Sequence, residues 1–126
     1  KAIGLKAVDF PVKGTGDFTF VHFHQERPHP KDIQEKIKRI EDFDSKVVAP
    51  GVKMAEAFGG VRMCVASDVI QSLAKKTSLP GHAPFLMYGE GIAASGAEGF
   101  DEKACAKSEW VFDEGHKLIG SFLKKE

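Results

Sequence analysis

Three histidines, a glutamate and an arginine fall within one decapeptide, VHFHQERPHP, at residues 21–30. His22 and His24 are two positions apart. On an extended strand they share one face, with Cα atoms about 7 Å apart. Two imidazoles so placed can share a divalent metal ion, and Glu26 or His29 from the following loop can supply a third ligand. A coordination position then stays open for water or substrate. The same residues also have a plainer reading. His22 is then half-buried and hydrogen-bonded, and His24 and His29 are solvated.

A second centre lies in GGVRMCVASD, at residues 59–68. Cys64 falls near the end of an apolar run that leads into an expected helix. In open α/β sheets reactive groups gather at the carboxyl ends of strands. A thiol near the start of the next helix has its thiolate stabilised by free N–H groups and the helix dipole. Arg62 shares the strand face with Cys64 and adds positive charge there. The plainer reading makes Cys64 a small buried core residue. If the strands are parallel, His24 and Cys64 both lie at carboxyl ends, so a histidine is placed to act as base for the thiol.

The stretch PFLMYGEGIAA also carries a literal G-x-G-x-x-A pattern at Gly89, Gly91 and Ala94, with Asp113 about 20 residues on. A dinucleotide site needs a helix there. Gly96 and Gly99 each cost up to about 1 kcal/mol in a helix interior, and too little chain follows for the rest of a nucleotide-binding half. A glycine-rich loop that cradles an anion or shapes a subunit contact fits better.

These residues need elements to position them. DFTFVHFH (17–24) alternates and is apolar on both faces at its start, as an interior strand does. Pro28 and Pro30 end it, and Pro30 can open a helix at its first turn. Ile33, Ile37, Ile40 and Phe43 follow at helical spacing, which predicts a helix over 31–43. SKVVAPGV (45–52) reads as a short extended segment, and KMAEAF (53–58) as a brief helix stopped by Gly59-Gly60. VRMCVA (61–66) is a strand-length apolar run. Ser67 or Asp68 can cap a helix through VIQSLAKK, and PFLMY (84–88) is a third buried strand. Residues 101–124 hold Val111, Leu118, Ile119 and Phe122 on a helical face, although EWVF allows a short strand there. Strands alternating with helices predict a single α/β domain over residues 1–126, with a mainly parallel sheet of three to five strands flanked by helices.

Composition narrows the function classes. Eighteen basic and eighteen acidic residues cancel, so no basic excess points to nucleic acid. No apolar run approaches the roughly 18–20 residues of a transmembrane helix, which sets a membrane aside as partner. Two cysteines form no disulfide framework and favour the cytosol, whereas Lys1 at the start favours processing after export or organellar import. The compartment stays open. Near-zero net charge and ten phenylalanines suit a homo-oligomer or a protein partner.

FGGVRMCVASDVIQSL resembles the strand, cysteine and helix segment of the DsrE-like sulfur-relay proteins. FTFVHFH with the helix at 31–43 is similar to their first strand and helix, and VVAPGV to their second strand and turn. The resemblance covers about half of the chain. It implies that Cys64 accepts and passes on a persulfide sulfur, in subunits that assemble into trimers or hexamers. Two other readings stand beside it: a metal-binding protein using His22, His24, Glu26 and His29, and a noncatalytic subunit of a larger complex.

Overall fold

The computed structural model describes residues 18–23 and 29–124. Its first element is helix α1, Ile33–Phe43. Asp32 caps it, with its carboxylate accepting from Glu35 N–H at 2.9 Å, while Glu35 reaches back to accept from Lys31 N–H at 2.7 Å. Two otherwise unpaired donors are satisfied in this way. Pro30 therefore sits before the helix rather than in its first turn.

The chain does not become extended at 45–52, as the paired valines suggest. It stays helical through a π-turn, Asp44–Val48, into α2, Ala49–Phe58. Pro50 accounts for the π-turn. In an unbroken α-helix its ring would meet the carbonyl four residues back. Here the Ala49 N–H bonds to Asp44 O, five residues back, and the widened turn accommodates the ring. Gly59, at φ +62°, ends α2 with its N–H on Ala55 O.

Strand β1, Arg62–Ala66, pairs with the later strand β4, Phe85–Gly89. The ladder is antiparallel, setting Arg62 opposite Gly89, Cys64 opposite Met87 and Ala66 opposite Phe85. Between them the expected helix over VIQSLAKK is replaced by a hairpin. Its strands are β2, Ile70–Ser72, and β3, Thr77–Leu79, also antiparallel, with Lys76 at φ +49° in the turn. Eight residues of helix-forming type make a marginal helix on their own, and the hairpin wins. The mainly parallel sheet is corrected accordingly. Parallel strands require a crossover, usually a helix, and the connection from β1 to β4 contains none. The mixed α/β class holds, built on two small antiparallel sheets.

A single turn, α3, Glu102–Cys105, follows under an Asp101 cap, and α4, Gly115–Leu123, closes the described chain. Residues 109–112 form neither strand nor helix. Residues 18–23 join no ladder among the described residues, and Phe20 is 70% exposed, so the expected interior strand is not realised over them.

Packing is sparse. Ala55, 6% exposed, is the one buried apolar side chain of the usual core types among the described residues. It lies on α2, which packs against β1. A Cβ placed on Gly51 would come within 3.0 Å of Met63 Sδ. Phe85 and Phe112 meet in a tilted pair at 5.5 Å between ring centroids, and Phe23 meets Phe43 at 5.4 Å.

Candidate functional site around Arg62 and Cys64

Arg62 opens β1 opposite Gly89. Its Nε donates to Glu90 O at 2.7 Å, and its Nη1 donates to Phe122 O at 3.4 Å and to Lys124 O. The guanidinium thus joins the turn after β4 to the last carbonyls of α4, where positive charge is favoured. Gly91, at φ +73°, makes room for it, since a Cβ there would lie 2.8 Å from Nη2. The GEG glycines of the dinucleotide-like pattern therefore shape a turn around an arginine, and no helix follows them. Two glycines flanking one residue directly after an apolar run were the available sequence signal.

Cys64 sits in the middle of β1, half-buried opposite Met87. Burial pushes its thiol above the ordinary value, because desolvation penalises the thiolate. β1 leads into the β2–β3 hairpin and not into a helix, so the dipole expected to acidify the thiol is not there. Arg62 is bonded to main-chain carbonyls. Cys64 and Cys105 are not joined by a disulfide.

The histidine centre divides. His22 is exposed and His29 partly exposed, while His24 and Glu26 lie outside the described residues. Among the described residues no group of three or more histidines, cysteines or acids could hold a metal ion. His82 comes within 3.9 Å of Asp113, both well exposed. Among the described residues no helix is long and apolar enough to cross a membrane.

No family model matches the chain, and no solved structure matches it. Curated proteins do. The probable 2,3-bisphosphoglycerate-independent phosphoglycerate mutase of Geobacter sulfurreducens is 32% identical over 111 residues, covering 84% of this chain and 28% of that protein. The 2,3-bisphosphoglycerate-independent phosphoglycerate mutase of Methanosarcina acetivorans is 33% identical over 114 residues, 87% of this chain and 29% of its own length. That of Methanosarcina barkeri is 31% identical over 125 residues, 96% of this chain and 31% of its length. The chain spans under a third of the length of these relatives.

The sulfur-relay reading is overturned by these relatives, which carry a different activity across most of the chain. The structure removes its local supports as well. VVAPGV is helical, β1 leads into a hairpin and not into a helix, and the thiol is shifted away from reactivity. The metal-binding reading finds no cluster of three ligands among the described residues.

Proposed function

We propose that this chain forms part of a phosphoglycerate mutase-type domain and serves the transfer of a phosphoryl group between the hydroxyls of phosphoglycerate without 2,3-bisphosphoglycerate. One observation carries the reading: relatives from a bacterium and from methanogenic archaea share that activity name over 84–96% of this chain. The sparse core among the described residues supports the part-of-a-domain half of the reading, since a self-sufficient unit buries a sizeable apolar interior. The groups best placed for chemistry in the sequence support it indirectly. Arg62 ties main-chain carbonyls together, and burial pushes the Cys64 thiol above its ordinary value, as groups of a scaffold do.

The test is turnover by the complete polypeptide that carries these residues. It is supplied with 3-phosphoglycerate, no 2,3-bisphosphoglycerate is added, and formation of 2-phosphoglycerate is followed. Isomerisation independent of the bisphosphate is the expected result. Failure to isomerise or to bind either phosphoglycerate would overturn the reading.

A further inference from the structure

Helix α1 is oriented against its own amphipathicity. Ile33, Ile37 and Ile40 recur at the spacing of one helical face, and they are 54%, 43% and 61% exposed. The side chains of Glu35 and Arg39, on another face, are only 30% and 17% exposed, and Lys36 reaches across to donate to Gln71 O at 3.0 Å. An apolar stripe of this length on solvent, with charged groups turned inward, marks a surface that another apolar element covers. The relatives indicate which. More than two-thirds of their length has no counterpart in this chain, ample to supply a layer over one helix. The β1–β4 pair also leaves one edge of each strand without a ladder partner among the described residues, as expected where a larger sheet is cut.

We infer that the Ile33–Ile37–Ile40 face of α1 is an internal seam, on which the remaining part of a mutase-type domain docks. This rests on the proposed membership in such a domain. It adds which face of the chain meets the rest.

Site-resolved labelling tests it in the complete polypeptide that carries these residues. Cysteine is introduced as Ile37→Cys, and separately as Lys38→Cys, whose parent side chain is 74% exposed. Maleimide labelling is read peptide by peptide by mass spectrometry. Ile37→Cys is expected to label at least about tenfold more slowly than Lys38→Cys, independently of protein concentration. Hydrogen exchange of α1 in the unsubstituted protein gives a second readout, with protection expected on the isoleucine side.

Equal labelling of the two positions, with α1 exchanging freely, would overturn the inference. Protection that disappears on dilution would overturn it in favour of a second copy of the chain. Activity is read separately. A protected seam in a protein that does not isomerise phosphoglycerate leaves the docking face standing and removes the mutase reading. Isomerisation with a freely labelled stripe does the reverse.

Discussion

Ile37 and Arg39 are two positions apart on α1 with their exposures reversed: the isoleucine is 43% exposed, and the arginine side chain 17%. Arg39 lies against Glu35 one turn earlier, which lets the charged side turn inward as a pair. The apolar side is left to solvent. Burying a side chain of this type contributes roughly 1.5–3 kcal/mol, and α1 forgoes much of that for three isoleucines.

Ile40→Lys separates the two environments that α1 can occupy. On the described surface, where Ile40 is 61% exposed, the substitution alters stability by no more than about 0.5 kcal/mol. In a complete domain that covers the stripe it buries an unpaired ammonium and costs at least about 3 kcal/mol. Urea midpoints of the complete polypeptide, with and without the substitution, distinguish the cases. A midpoint that does not move shows the stripe to be solvated there.

Arg62→Ala should loosen the end of α4 selectively. The guanidinium bonds link Glu90, Phe122 and Lys124 carbonyls, elements far apart in sequence. Their loss costs about 1–2 kcal/mol at a partly exposed site. Lysine recovers little, because one ammonium does not reproduce the planar fork. Hydrogen exchange should quicken across Gly115–Leu123 and stay unchanged in α1. Uniform acceleration of both helices would show that Arg62 supports the whole fold instead.

Local signals in the sequence were legible where one residue settled the matter. The Ile33–Ile37–Ile40 pattern specified α1, although its start lies at the Asp32 cap rather than at Pro30, Gly59-Gly60 stopped α2, and the apolar runs at 61–66 and 84–88 became β1 and β4. Pairing direction was not legible, because an apolar run reads alike in parallel and antiparallel sheets. The stretch after Asp68 misled for a related reason. Helix-forming residues over VIQSLAKK are too few to outweigh the β2–β3 hairpin. Val47 and Val48 looked extended, yet the π-turn before Pro50 kept them helical. The Arg62 linkage was hidden because its partners are main-chain carbonyls, which carry no residue code.

Gly89→Ala should disrupt the β1–β4 pair. Gly89 has φ +123°, and an added Cβ would meet Val61 O and lie 2.9 Å from Arg62 Cα, all backbone at the start of the facing strand. Strain of about 1–3 kcal/mol from the backbone angle adds to that clash. Gly120→Ala is the counterpart. It lies within α4 with nothing inside 4 Å of the new Cβ, so it should stabilise by roughly 0.5–1 kcal/mol. Thermal melts of both variants check the pair, and equal effects would contradict the placement of Gly89.

Cys64 should be slow to alkylate at neutral pH and become faster as the solution turns alkaline. Half-buried opposite Met87, its thiol is pushed up by desolvation. The thiolate is the reacting species, so iodoacetamide should modify it more slowly in the folded protein than in the urea-unfolded chain. Mass spectrometry separates its peptide from that of Cys105. The shift has a consequence for stability. Below the ordinary thiol value both states keep the proton, and Cys64 contributes no pH dependence. As pH rises past that value the unfolded chain loses its proton first, and stability falls until the folded thiol also ionises. Cys64→Val should reduce that alkaline loss between about pH 8 and pH 10. Rapid labelling of Cys64 at neutral pH in the folded protein would show instead that the thiol is activated.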